Sequence, residues 1–410
     1  MTGLEHVDVA VVGAGPAGAT AALGALRADP RLRVLLLDRA DFPRDKPCGD
    51  GIAPHVLDVL EEVGVTGLLD DRVEVRRLRL ARGPLVADRE MTRPAYVVPR
   101  TVFDHRLVEA AQAAGAELRR HRVRTVEPDG GGVVVDGRYR ASVVVGADGA
   151  HSVLRRGLDG RSGQMAVALR GYAPTPPGRA HAQVIAFGTA RQPAYAWSFN
   201  RGDGWCNVGY GELVGADRPT RAALLERLDE LLPGATDGGE QWQGHQLPLS
   251  GWRGAVPGRG RVLLAGDAAR LVNPMTGEGI YYAVATGVLA GRAAAVAIAA
   301  GDPEGAAARH RRSTRRLLGS HLRHTAVAAR ICRSGRALDA GLRATAADQE
   351  VFDDLVELGL GRGRLTPTIL TWMTRSLAGH VAHRATATAR VPVRSGAPSG
   401  RDVPAPTEED

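Results

Sequence analysis

Lysine is almost missing from this chain of 410 residues: of its 53 basic residues only Lys46 is a lysine, and the rest are arginine. The net charge of +8 reflects that background preference and by itself says nothing about nucleic acid. Cysteine is scarce too. Cys48, Cys206 and Cys332 stand far apart, which excludes a disulfide framework and a four-cysteine zinc site and fits a reducing cytoplasm. The histidines are scattered without HExxH spacing, so no metal is expected. There is no P-loop and no serine in a nucleophile elbow, which leaves kinase and hydrolase chemistry without support. The N-terminus lacks the basic start and apolar run of a signal peptide. The longest nearly apolar stretch, residues 280–300, carries Arg292 and two tyrosines and reads as a buried helix rather than a membrane span.

With 44% hydrophobic and 24% charged residues the chain has material for a sizeable core, and its length suggests two or three domains. The first 38 residues form one unit. VDVAVVG is a β-branched run fit for a strand buried on both faces; GAGPAG and an alanine-rich helix follow, and LRVLLLD gives a second strand ending in Asp38. Gly13, Gly15 and Gly18 permit a tight turn and a close backbone approach to a pyrophosphate, whose charge the helix N-terminus favours. Asp38, twenty residues beyond Gly18, stands where a ribose hydroxyl needs an acceptor. Ala17 and Arg39 join the candidate contacts. Two further strand-loop-helix joints occur, VVVGADGAHSVLRR with Asp148, and RVLLAGDAARLVNPMTGEGIYYA with Gly266 and Asp267.

Residues 164–252 change character. QMAVALRGYA, AQVIAF, AYAWSF and CNVGYG alternate like strands of an antiparallel sheet, interrupted by the helical RAALLERLDELL. The alternation sets Tyr195, Trp197 and Phe199 on one strand face, either as core or as a flat wall for a long apolar ligand. The expected fold class is α/β with an α+β insertion. Residues 1–160 and 253–300 form a discontinuous Rossmann-like nucleotide-binding domain, 161–252 an antiparallel sheet substrate domain with 72–99 as a candidate addition, 301–389 a helical region, and 390–410 a disordered tail.

The order of fingerprint, DG segment, sheet insertion and GD segment resembles the flavoprotein hydroxylase superfamily, which implies FAD as the cofactor. FPRDKPCGDGIAP, residues 42–54, and AYAWSF are similar to the geranylgeranyl reductase family, which includes menaquinone side-chain reductases and saturates isoprenoid double bonds. The resemblance implies that Cys48, Gly49 and Gly51 lie beside the flavin with Lys46, and that Arg100 of PRTVFDHRL begins a helix near FAD. It implies that Asp148, Gly266, Asp267 and Val123 approach the cofactor, and that Gly279 and Ile280 offer N–H groups to the flavin pyrimidine. Tyr195, Trp197 and Phe199 match the family's YxWxFP cavity motif, with Asn200 in place of the proline.

The function so implied is FAD-dependent reduction of an isoprenoid. The alternative is a flavin monooxygenase or halogenase acting on an aromatic or polyketide, although Tyr195 and Phe199 depart from the halogenase WxWxIP pattern. A flavin-binding regulatory or electron-carrier protein is a third reading. Tyr195 and Cys48 are candidate proton donors or redox groups, though Cys48 has no Cys-x-x-Cys partner and flavin contact or packing suits it better. No second GxGxxG unit is read, so the electrons come from NAD(P)H visiting the flavin or from a protein donor. His151 reads as a helix-start residue. Ten arginines between Arg309 and Arg343 face one acid, Asp339, and read either as a solvated face or as a patch for anionic headgroups. A nucleic-acid partner is not expected, because the segment has no aromatic for stacking. The expected location is cytoplasmic, with peripheral membrane contact; the oligomeric state is not legible.

Overall fold

The computed structural model describes residues 3–156, 158, 164–190, 192–215, 217–249 and 255–375. The N-terminal β1 (Glu5–Val12), α1 (Pro16–Ala28) and β2 (Val34–Asp38) form a βαβ unit, followed by β3 (Gly51–Ile52) and α2 (Pro54–Glu61). The hairpin β4 (Val75–Arg82) and β5 (Leu85–Val97) leads into α3 (Arg100–Ala113). Then come β6 (Glu117–Arg120), β7 (Val126–Asp129), β8 (Gly132–Val135), β9 (Tyr139–Gly146) and the single turn α4 (Val153–Arg156). The next stretch is β10 (Gln164–Pro174), β11 (Ala182–Phe187), β12 (Ala194–Asn200), β13 (Trp205–Leu213), α5 (Arg221–Leu231) and β14 (Glu240–Leu249). The chain returns through β15 (Gly258–Arg259) and β16 (Val262–Leu264) to α6 (Ile280–Ala299). Beyond lie α7 (Ala306–Ile331), α8 (Gly335–Ala347), α9 (Gln349–Leu360) and a helical turn pair over 367–375.

Two sheets result. The first runs β15-β16-β9-β1-β2-β6, parallel from β16 to β6, with the β7–β8 hairpin attached to β9. Its central strand has Val9, Ala10 and Val11 fully buried, paired in register with Val143 on one side and Val34 on the other. Burial of each such valine contributes about 1.5 kcal/mol or more, and a strand covered on both faces cannot alternate in polarity. The second sheet runs β14-β10-β13-β12-β11-β4-β5-β3 and is antiparallel except at β11–β4. The 72–99 stretch thus supplies strands to this sheet. Val123 sits in the loop between β6 and β7.

Among the described residues α6 is the one helix long and apolar enough to cross a membrane, and it is mostly buried. Its neighbour is α1, which meets it through Ala17, Thr20, Ala21, Gly24 and Ala25. A Cβ on Gly291 would lie 1.9 Å from the carbonyl oxygen of Ala21, so the close crossing of α6 over α1 needs glycine there. That crossing fixes the start of α6 at the C-terminal edge of the first sheet. The sequence expectation of a tail over 390–410 lies outside the described residues.

Candidate active site

Where β1 ends, Gly13 adopts φ +97° and its N–H donates to the Leu37 carbonyl at 2.7 Å, which folds the turn back over β2. The helix that follows begins at Pro16 with no side-chain cap; the Gly18 and Ala19 N–H groups donate to the Gly15 carbonyl at 2.9 Å each, which leaves the Ala17 N–H for an anion. A Cβ on Gly18 would stand 1.7 Å from the Gly13 carbonyl oxygen, so this third glycine packs helix against turn. Gly15, Ala17 and Gly13 line a single large cavity of about 980 Å³ together with Asp38 and Arg39. The two oxygens of Asp38 accept from the Ala14 N–H at 2.7 Å and the Ala40 N–H at 2.9 Å, holding the carboxylate at the cavity wall.

Lys46, Cys48, Gly49 and Gly51 line the same cavity from the loop before β3. The Lys46 ammonium stands 3.3 Å from Asp267 Oδ2, tying the loop to the GD segment. The Asp267 carboxyl is held below its usual range, because the charges of Lys46 and its other cationic neighbours outweigh the burial that opposes them. Arg100 is buried at the head of α3 and bonds Asp104 in a bidentate pair at 2.6 and 2.8 Å, and Arg44 meets the same carboxylate at 3.1 Å. Asp148 accepts from the Val153 N–H at 2.7 Å through Oδ2, while its buried Oδ1 has no partner. Arg100, Val123, Asp148, Asp267, Gly279 and Ile280 all reach the cavity. Gly18 and Gly266 do not. Gly266, at φ +56°, is packed against Ala17 and Ala283, so both glycines shape the nucleotide turn from behind.

Two carboxylates of the loop, those of Asp45 and Asp50, hold it to the second sheet. Arg170 pairs with Asp45 at 2.5 Å, and Asp50 accepts from the Tyr172 hydroxyl at 2.6 Å and the Asn207 amide at 2.8 Å. Asn207 also donates to the Cys48 carbonyl and accepts from the Trp197 indole N–H, each at 2.8 Å. Burial pushes the Asp50 carboxyl up to about 6 and the Cys48 thiol up as well, so Cys48 stays a thiol.

On β12, Tyr195, Trp197 and Phe199 face the cavity, while Ala194, Ala196 and Ser198 face α5 and the second sheet's own core. The three rings form a continuous wall with centroids 6.0 and 6.4 Å apart. Asn200 points the other way: its Oδ1 accepts from the Gly202 N–H at 3.0 Å and its amide from there reaches the Ala180 carbonyl, so losing the motif's proline leaves the wall intact. The Tyr195 hydroxyl donates to the Thr276 carbonyl, and burial raises its pKa.

Sequence reasoning missed several cavity residues. Glu278 lies there with its Oε1 accepting from the Tyr281 N–H at 2.8 Å, and burial pushes its carboxyl up to about 7. His245 has a buried Nε2 without a partner and is pushed down to about 4 by burial, with Lys46 adding to the effect. His151, expected only to start a helix, packs edge-on against it with ring centroids 6.5 Å apart. The far end is apolar, with Leu338, Leu342, Phe352, Leu365 and Ile369 among its walls. Glu278 had a signal, a lone acid at the head of an apolar helix; the far end had none.

The uncapped α1, the glycine turn and the orphaned Asp148 Oδ1 fit a dinucleotide held across the edge of the first sheet. Residues 6–194 match the FAD binding domain family. Over 315 residues the chain is 36% identical to menaquinone reductase of Mycolicibacterium smegmatis, covering 70% of this chain and 75% of the relative. It is likewise 36% identical over 327 residues to digeranylgeranylglycerophospholipid reductase 1 of Methanopyrus kandleri, covering 72% and 82%. The chain belongs to the geranylgeranyl reductase family of FAD-dependent oxidoreductases. Among solved structures, a geranylgeranyl bacteriochlorophyll reductase-like protein from Thermoplasma acidophilum shares the fold with a TM-score of 0.76 at 23% identity, covering 94% of this chain and 100% of that one. In this family member the cofactor is FAD, and the glycine turn, Asp38, the Lys46 loop and the Asp267 segment are the elements that would hold it.

Proposed function

We propose that the chain saturates carbon–carbon double bonds of an isoprenoid chain, with reduced FAD supplying hydride to one alkene carbon and a protein acid supplying the proton to the other. One observation carries the reading: the cavity is continuous from the glycine turn, past the wall of Tyr195, Trp197 and Phe199, to the apolar far end at Phe352 and Ile369. A long prenyl chain laid along that path meets aromatic faces and aliphatic side chains and little that needs hydrating. The protein's part is to align the alkene, exclude water and hold the proton.

Glu278 is the acid we assign to that last task. It lines the cavity, and with its carboxyl pushed up to about 7 a large share is protonated at neutral pH. Tyr195 is the poorer donor, since its hydroxyl is committed to Thr276 and its pKa is raised. We further propose NAD(P)H or a protein donor as the source of electrons.

The test is anaerobic. Chemically reduced enzyme mixed with a geranylgeranyl lipid is expected to reoxidise and to give a product two hydrogens heavier. Reoxidation only on admitting oxygen, with an oxygenated product, would replace this reading by the monooxygenase one. Glu278→Gln is expected to keep FAD and its reduction while slowing reoxidation by the lipid about a hundredfold or more.

A further inference from the structure

The outer face of α7 is a stripe of positive charge with no acid on its helix. Between Ala306 and Ile331 there are seven arginines and no Asp or Glu. Arg309 pairs with Asp302 at 2.8 Å. The other six, at 311, 312, 315, 316, 323 and 330, are exposed and, among the described residues, have no acidic partner. Elsewhere exposed arginines commonly meet carboxylates, as Arg93 meets Asp58 at 2.6 Å and Arg120 meets Asp41 at 2.6 Å.

Helical geometry gives the charges a common direction. Arg312, Arg316, Arg323 and Arg330 are spaced by four, seven and seven residues, which at 3.6 residues per turn confines them to an arc of about 40°. Val327, half exposed, lies beside that arc. The opposite face is buried through Leu318, Leu322 and Thr325, and Ala328 and Ala329 on the same helix line the cavity, as do Leu338 and Leu342 of α8. One helix therefore carries unneutralised cations outside and cavity wall inside.

We propose that this face docks on an anionic lipid bilayer. The charges complement an anionic headgroup layer, their long stems can lie along an interface, and Val327 adds an apolar contact at its level. Docking sets the cavity wall against the membrane surface, where a prenyl lipid would be drawn from the bilayer; that consequence rests on the function proposed above, whereas the docking does not. Nucleic acid is disfavoured because α7 has no Phe, Tyr or Trp to stack on a base.

The test uses the full-length, FAD-loaded protein in co-sedimentation with vesicles of phosphatidylcholine, with or without phosphatidylglycerol. Binding is expected only to the anionic vesicles and is expected to weaken with salt. The quadruple variant Arg312→Gln, Arg316→Gln, Arg323→Gln, Arg330→Gln is expected to bind them at least a hundredfold more weakly, at about fivefold or more per residue. A control variant removing the same charge at the exposed Arg27, Arg124, Arg218 and Arg259 is expected to bind like the parent. Flavin absorbance and thermal midpoint check that both variants are folded. With prenyl substrate dispersed in detergent the stripe variant is expected to turn over like the parent, so loss of docking and loss of the proposed chemistry are read separately. Equal binding to neutral and anionic vesicles, or equal loss in both variants, overturns the proposal. So does retention on RNA with no retention on vesicles at the same salt.

Discussion

Asp50 makes the fold's stability depend on pH in a direction opposite to that of an ordinary paired carboxylate. It is fully buried at φ +59°, its Oδ2 accepts from Tyr172 and Asn207, and its Oδ1 has no partner. Burial raises its pKa more than those two hydrogen bonds and the charges of Arg170 and Arg100 lower it, taking it from 3.8 to about 6. The folded protein therefore holds this proton more tightly than the unfolded chain does. Stability is lost as pH rises from about 4 to about 6 and is level above, by an order of about 3 kcal/mol for two pKa units. Asn at this position tolerates the left-handed backbone and can offer its carbonyl to both donors. Its amide then faces the unpartnered side at a cost of about 1–3 kcal/mol that does not vary with pH. Guanidinium unfolding of FAD-loaded Asp50→Asn and parent protein across that pH range is expected to give a stability difference that moves in the variant's favour by about 3 kcal/mol between the two ends. A difference that stays constant with pH refutes the reasoning, because it would mean that Asp50 remains ionised in the fold throughout.

Other perturbations test other joints. Lys46→Arg sets a planar guanidinium in place of the ammonium 3.3 Å from Asp267 and is expected to weaken FAD several-fold by flavin fluorescence titration, although arginine is this chain's usual cation. Gly291→Ala forces a methyl toward the Ala21 carbonyl and is expected to lower stability by about 3 kcal/mol or more, read by denaturant midpoint. Trp197→Ala removes the middle ring of the cavity wall and the indole bond to Asn207, and is expected to retain FAD while lowering prenyl turnover at least tenfold, read as kcat/KM.

The nucleotide half of the molecule was legible because its signals are local. Buried β-branched strands and glycine turns depend on residues a few positions apart, and β1, α1 and β2 emerge within two or three residues of where periodicity sets them. The aromatic alternation of β12 was legible for the same reason, but not whether it faced core or cavity. That depends on β12 having Ala194, Ala196 and Ser198 on its other side, small residues that let α5 cover the second sheet and leave the rings free. Gly18 and Gly266 read as cofactor contacts, because a motif records that a side chain is forbidden without recording whether ligand or backbone forbids it.

The far end of the cavity had no local signature because no single element builds it. Leu338 and Leu342 are one helical turn apart on α8, Phe352 comes from α9, and Leu365 and Ile369 from the segment beyond. Each reads as the apolar stripe of an ordinary amphipathic helix, and only their convergence distinguishes a tunnel wall from a core. The neighbouring α7 carries its exposed arginines on the outer side and gives Ala328 and Ala329 to the cavity on the inner side. An apolar end formed by packing of separate helices can change length without touching the flavin-side residues, since Lys46, Asp50 and Asp267 are fixed by β3, β10, β13 and β16. On the function proposed above, the length of the prenyl chain would be read by Phe352 and its neighbours, while the residues around the glycine turn would stay in place when that length changes.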